Sequence, residues 1–318
     1  MKKCFVGFDT SNYTTSAAVC SLDGEILANI KRPLPVKSGE CGLRQSDAVF
    51  AHIKNLPSVA DELSEALVGY EPIAVGVSAR PRDAENSYMP CFLSGVAAAR
   101  AFAAPLGIPT FEFSHQNGHV MAAAYSSGET ERLLSGEFLA FHVSGGTTEA
   151  LLVRAEGSSF DVKLVGETLD LNAGQAIDRV GVSLGLDFPC GAALETLAKN
   201  FRGKPYRPAI SVKDGNCNLS GLENMASGLY KRTENKEEVA AFVFDFIRRT
   251  LSEMCLQLME KYGRMPVLFA GGVMSNTYMR DAICKEIEAY FSAPAFSADN
   301  AAGIALLCRR EYMSKAKN

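Results

Sequence analysis

The chain has 318 residues, 47% of them hydrophobic, with a formal net charge of −4 and a pI near 5.7. That much apolar material fills one large core or two moderate ones, and the length favours two domains. The acidic balance excludes a nucleic-acid binder that works through a global basic field, although a local basic patch stays open. Nine cysteines, an odd number with no Cys-x-x-Cys pair, exclude a disulfide scaffold or zinc ribbon and imply reduced thiols in the cytoplasm. The start "MKKCFVGFDTSNYTTS" is too short in apolar residues for a signal peptide, being broken by Asp9, and no run of 18 apolar residues exists to span a membrane.

In chain order, a short apolar strand from Cys4 to Phe8 ends in Asp9-Thr10-Ser11. Ser16 to Leu22 and Glu25 to Ile30 are strands joined by the Asp23-Gly24 turn. Ser46 to Val68 fits a helix with Leu56, Val59, Ala60, Leu63 and Leu67 on one face. Ile73 to Ser78 is a buried strand, and Phe92 to Leu106 a helix closed by Gly107. Phe138 to Val143 is a strand, Ser144 to Thr148 a tight turn, and Ala150 to Val153 the returning strand. "LDLNAGQAIDRVGVSLGL" and Glu237 to Lys261 are amphipathic helices. "VLFAGGVMSN" is a strand, a glycine turn and a helix cap, and the last helix, Asp299 to Met313, starts at Asp299 or Asn300. Alternating strands and helices give an α/β class, with the boundary between halves near Gly107 to Gly136. "FVGFDTSNYTTSAAV" and "FLAFHVSGGTTEALLV" share one pattern, which either marks an internal duplication or is two hairpins alike by chance.

Three turns rich in Gly, Ser or Thr each follow a strand: Thr10-Ser11, Ser144 to Thr147, and Gly271-Gly272. Each alone is an ordinary turn, but three at strand ends are also where an α/β fold holds a nucleotide, with exposed N–H groups favouring phosphate. Asp9 and Ser11 are phosphate-loop candidates on this ground, with Asp9 either facing a site or capping its turn. Asp170 and Asp178 are expected on one helical face, where solvated charge is the competing reading. His115 and His119, at i and i+4, can grip one metal ion; without the Glu of H-E-x-x-H, peptidase chemistry is excluded by that route. The plain alternative is a helix capped by Ser114 with two half-exposed histidines. His142 and His52 read as packing residues.

Six segments in order resemble one family: "GFDTSNYTTSAAV", "HQNGH", "VSGGTTEALLV", "LDLNAGQAIDRVGVSLGLDFPCGAALETLA", "LSGL" and "AGGVMSN…DNAAGIA". The set is similar to the threonylcarbamoyl transferases of tRNA modification, once called glycoproteases. The resemblance implies a duplicated actin, hexokinase and heat-shock-chaperone (ASKHA) fold, with lobes at residues 1–120 and 121–318 and a nucleotide cleft between them. It implies that His115, His119 and Asp299 hold one divalent metal, iron or zinc, and that Val143, Ser144, Gly145, Gly146 and Thr147 form a phosphate loop. Asp178, Gly191 and Glu195 would meet the sugar or adenylate of ATP or threonylcarbamoyl-AMP, and Asn276 with Gly271 and Gly272 the adenine end. The implied reaction passes the threonylcarbamoyl group to N6 of adenosine 37 in tRNAs reading codons that begin with A. The implied partners are tRNA, the proteins of the threonylcarbamoylation complex and a paralogous actin-like subunit, with no membrane.

The chain departs from the family pattern at several places. Asn12 to Thr15 lose two acids of "ETSCDET", Asn117 replaces the Glu of "HxEGH", Glu223 replaces a lysine, and "RPRDAENSYMPCFLSG" replaces a glycine-rich stretch. These changes leave open a non-catalytic nucleotide-binding paralogue that acts as scaffold or regulator. An actin-fold kinase is a third reading, for which Asp9 would be the base.

Overall fold

The computed structural model describes residues 1–11, 13–35, 43–297 and 301–316. Three strands, β1 (Lys2–Ser11), β2 (Thr14–Ser21) and β3 (Ile26–Pro33), are followed by helix α1 (Gln45–Ala66). Then come β4 (Tyr70–Arg80), α2 (Phe92–Leu106), β5 (Thr110–Ser114), α3 (His115–Ser126) and the short α4 (Thr130–Leu134). A second set opens with β6 (Glu137–Val143), β7 (Thr148–Glu156), β8 (Ser159–Glu167), α5 (Ala173–Ser183) and α6 (Gly191–Asn200). It continues through the small hairpin β9 (Ser211–Lys213) and β10 (Asn216–Asn218), then α7 (Gly221–Thr233), α8 (Lys236–Tyr262) and β11 (Val267–Ala270). A 3₁₀ turn (Gly272–Ser275), α9 (Thr277–Ile283), β12 (Ala289–Phe291), a second 3₁₀ turn (Pro294–Phe296) and α10 (Ala302–Lys315) complete it.

Contacts divide the chain into two units, Met1–Gly128 with Ala155–Val162 and Ala295–Asn318, and Glu129–Arg154 with Lys163–Pro294. In the first, the sheet order is β3-β2-β1-β4-β5, with β1, β2 and β3 antiparallel and β4 and β5 parallel to β1. β1 is covered on both faces, so it reads as a continuous apolar run rather than an alternating one. Cys4, Val6 and Phe8 share a core with Val59 and Leu63 of α1 and Ala99 and Ala103 of α2. The opposite face carries α10 at very close range: a Cβ on Gly7 would lie 2.5 Å from the Ala305 nitrogen. A strand's period of two then puts Asp9 on the α10 face with Phe5 and Gly7, and Thr10 on the α2 face. Thr10 Oγ1 accordingly donates to the Cys91 carbonyl and accepts from the Gly95 nitrogen at the start of α2.

The second unit holds the sheet β12-β11-β6-β7-β8, with β6 and β7 antiparallel and β11 and β12 parallel to β6. This is the first order with each strand replaced by its counterpart: a meander of three, then two parallel strands on the far side of the first. The register agrees too. Asp9 lies opposite Ser16 and Thr10 opposite Thr15, as His142 lies opposite Glu149 and Val143 opposite Thr148. Leu139, Phe141 and Val143, the counterparts of Val6, Phe8 and Thr10, again face the larger core, with α5, α7 and α8. Sequence similarity between the two hairpins therefore reflects a duplicated unit. No described helix is long and apolar enough to cross a membrane.

Candidate functional site

In the first unit the histidine pair sits where β5 turns directly into α3. Ser114 is the N-cap, and its hydroxyl accepts the Asn117 amide at 3.3 Å. His115 and His119 are one turn apart, with ring centroids 4.2 Å apart and planes at 77°. The Nδ1 atom of His115 lies 2.6 Å from Oδ2 of Asp9, whose side chain is 1% exposed. The other Asp9 oxygen accepts the Ser11 amide at 2.8 Å. Asp9 thus faces His115. Ser11 Oγ, buried beside it, has no hydrogen-bond partner among the described residues.

Donor chemistry at this place fits a divalent cation that takes nitrogen ligands: two imidazoles on one helical face, with a carboxylate behind the first. Among the described residues no three His, Cys, Asp or Glu side chains form a metal-holding group. Asp299, the expected third ligand, lies outside the described residues, as does Asn300, so the expected cap of the last helix also falls there. The described part of α10 begins at Ala302, and its Gly303 packs against the Gly118 carbonyl so closely that a Cβ could not fit.

Two residues next to this pair have roles that the sequence alone did not reveal. Asn117 is 1% exposed, and its Nδ2 donates to Asp83 Oδ2 at 2.7 Å and Ser159 Oγ at 2.6 Å. The Phe160 carbonyl lies 3.3 Å from the same nitrogen. Ser114 Oγ also donates to Asp83, at 2.7 Å. Asn117, where the family carries glutamate, is here a buried tie between α3, the stretch after β4 and the start of β8. His52 is fully buried and shares a hydrogen with Thr15 Oγ1 at 2.8 Å, while Asn55 donates to the same oxygen at 3.2 Å. Burial pushes the His52 imidazole below its usual range, against the opposing pull of the Ser11 backbone and Asp9. It anchors the end of the β1–β2 hairpin.

The second unit gathers the glycine turns. The Ser144 amide donates to the Thr147 carbonyl at 2.7 Å, and Ser144 Oγ accepts from the Gly146 and Thr147 amides. The first turn of α5, with a capping box from Asn172 and Gln175, abuts this loop. Gly174 donates to the Ser144 carbonyl at 3.1 Å, and a Cβ at 174 would lie 2.7 Å from Gly145 Cα. Gly271, with φ of +99°, presses on the Val143 carbonyl, a position and conformation open only to glycine. By contrast, a Cβ added at Gly145, Gly146, Gly191 or Gly272 would meet nothing within 4 Å. Closely packed glycines therefore bring the turns together, and the open ones leave backbone accessible to a ligand.

The remaining expected nucleotide residues form one chain around this turn. Asp178 on α5 accepts the Cys190 amide at 2.8 Å, and Gly191 follows as the first residue of α6. One turn on, Glu195 accepts from the Thr277 amide and hydroxyl at 2.9 and 2.8 Å and pairs with Lys199 at 2.7 Å. Burial alone would raise the Glu195 carboxyl, but these partners outweigh it and hold it below its ordinary value. Asn276, just before Thr277, caps α9 by accepting the Met279 amide at 2.9 Å. Asp170 is a correction: it precedes α5 instead of lying on it with Asp178. It accepts from Leu171, Leu219 and Ser220, and those bonds lower its carboxyl against the opposing effect of burial. Glu223, the other family departure, stands 3.5 Å from Arg179.

The family profile "TsaD: tRNA N6-adenosine threonylcarbamoyltransferase" matches residues 46–306. A protein of that name from Streptococcus suis (strain 05ZYH33) is 31% identical, with 98% of this chain and 93% of the relative covered. One from Streptococcus pneumoniae (strain Taiwan19F-14) is 31% identical over 89% and 83%. Among solved structures, the HypF protein of T. kodakarensis superposes with a TM-score of 0.62 at 12% identity, over 99% of this chain and 48% of that one. A ROK hexokinase from Thermus thermophilus gives 0.50 at 17% identity, over 99% and 100%. These structural likenesses, with the two mixed five-stranded sheets, show the actin-like α/β fold. The match over most of the sequence shows that the chain belongs to the TsaD family.

Proposed function

We propose that this chain transfers the threonylcarbamoyl group of threonylcarbamoyl-AMP to N6 of adenosine 37 in tRNAs reading codons that begin with A. The observation that carries the reading is the network in the second unit, where Asp178 bonds the residue before Gly191, Glu195 bonds the residue after Asn276, and Gly271 packs on the Val143 end of the Val143–Thr147 loop. The Gly145 amide, the one of residues 144–147 not tied inside the loop, and the positive end of α5 beside it suit the phosphate of an adenylate. Open space at Gly145 and Gly146 gives that phosphate room to approach the backbone.

His115, His119 and Asp299 would hold an iron or zinc ion. When bound, the metal supplies a Lewis acid that polarises the acyl carbonyl. In the transfer, a bond forms from N6 to the carbamoyl carbon, the bond from that carbon to the phosphate oxygen breaks, N6 gives up a proton and AMP leaves. The expected partners are tRNA, the other proteins of the threonylcarbamoylation complex and a paralogous actin-like subunit, in the cytoplasm.

The test is to incubate the purified chain with threonylcarbamoyl-AMP, tRNA and the partner proteins, then digest the tRNA and weigh its nucleosides. Threonylcarbamoyladenosine supports the reading. Its absence from samples that bind both nucleotide and metal overturns it in favour of a non-catalytic paralogue.

A further inference from the structure

Asp9 has no role in the reading above, yet it is the most constrained acid in the first unit. Its side chain is 1% exposed, and both oxygens are occupied, one by the Ser11 amide at 2.8 Å and one by His115 Nδ1 at 2.6 Å. Its own carbonyl accepts the Ser16 hydroxyl at 3.2 Å, which fastens the strand end to its neighbour. Both oxygens are thereby oriented by groups of this chain, one of them by His115.

An ionised carboxylate can only accept from an imidazole, so in the neutral ring of His115 the hydrogen lies on Nδ1 and the unprotonated nitrogen is Nε2. We infer that Asp9 is a positioning residue: it fixes the tautomer and ring angle of His115 so that Nε2 is the ligand atom for a divalent cation. This is the carboxylate–histidine arrangement by which an outer group orients a metal ligand. β1 supplies it because the period of two places Asp9 on the same face as Phe5 and Gly7, the face that α10 covers. At the equivalent place in the second hairpin stands His142, opposite Glu149. Only the first hairpin, therefore, carries a carboxylate at this position. The inference rests on the reading of His115 and His119 as metal ligands.

The test has two parts. Nitrogen-15 NMR of the imidazoles in metal-free protein, with His115 assigned by its loss in His115→Ala, reads the tautomer without any variant at Asp9. Hydrogen on Nδ1 is expected; hydrogen on Nε2 overturns the inference. Chelator competition for zinc then compares the wild type with Asp9→Asn, Asp9→Ala and His115→Ala. Asp9→Ala is expected to weaken zinc binding by about 10- to 100-fold, and Asp9→Asn by less, because its amide oxygen still accepts. If His115→Ala loses zinc and Asp9→Ala binds as wild type, the inference fails alone. If His115→Ala binds zinc as wild type, the underlying metal reading fails first. Should Asp9→Ala not fold, the wild-type tautomer decides.

Discussion

The β1–β2 and β6–β7 hairpins have the same topology and register, and they do opposite things with their ends. The first end is filled: Asp9, Thr10 and Thr15 are buried and bonded, and His52 is packed behind them. The second is stripped: Gly145 and Gly146 leave room at the backbone, with the Gly145 amide not tied inside the loop and a helix start beside it. One scaffold thus yields a nitrogen- and carboxylate-rich end in one unit and an anion-seeking end in the other. The difference lies in a few residues at the strand ends, because the core positions of both hairpins keep the same alternation.

That contrast can be broken from either side. The largest effect is expected at Asn117. Asn117→Glu replaces the donor to Asp83 by a second carboxylate at a position 1% exposed, with Asp83 itself part-exposed and paired with Arg80, at a cost of about 3 kcal/mol. Chemical denaturation reads this, and an unchanged midpoint would deny Asn117 its role as a tie. Next is Gly271→Ala, which forces a side chain into the Val143 carbonyl and into a backbone region reserved for glycine. Strain alone is about 1–3 kcal/mol. Calorimetric ATP binding should fall with stability, and a variant that binds ATP normally would detach this turn from the cradle. Ser144→Ala removes the acceptor of two loop amides, costing about 1 kcal/mol and weakening nucleotide binding more than it lowers the melting temperature.

Acid tests the second unit in another way. Asp170 and Glu195 both have carboxyls held below the ordinary values of Asp and Glu. Their contribution to stability is complete above those values and is lost as the pH falls through the depressed ones. Melting curves between neutral pH and pH 3 should therefore drop more steeply for the wild type than for Asp170→Asn; parallel curves would refute the assignment. The smallest effect is at Glu223→Lys, which breaks an exposed pair with Arg179 worth about 0–1 kcal/mol. A large loss of stability there would show that the pair matters more than its exposure implies.

Much of the fold was legible in the sequence, for local reasons. Strand and helix periods placed β6 and α8 within a residue, and Gly107 marked the end of α2 because it takes φ of +64° there. The duplication was visible as a shared strand–turn–strand pattern, but only the common strand order distinguishes it from chance. Asp170 was misplaced onto a helix because its apolar neighbours continue the helical period, whereas its carboxylate is turned back to the Leu219–Ser220 corner. The Asp9–His115 bond and the Asn117–Asp83 tie join residues distant in sequence, through side chains that no local period constrains. The proposed nucleotide residues were named as a set through family resemblance, whereas the contacts that bring them near one another arise from packing of α5, α6 and α9.

The division of labour between the two hairpins is tested most directly by measuring metal and ATP binding on the same two variants. A Cβ at Gly145 meets nothing within 4 Å, so Gly145→Val is expected to fold while filling the cradle, which its melting temperature checks. It should lose ATP and keep zinc. The double variant His115→Ala, His119→Ala should lose zinc and keep ATP. If the histidine variant retains zinc at wild-type affinity, or if Gly145→Val binds ATP unchanged, the account of two hairpins with two ligands is wrong.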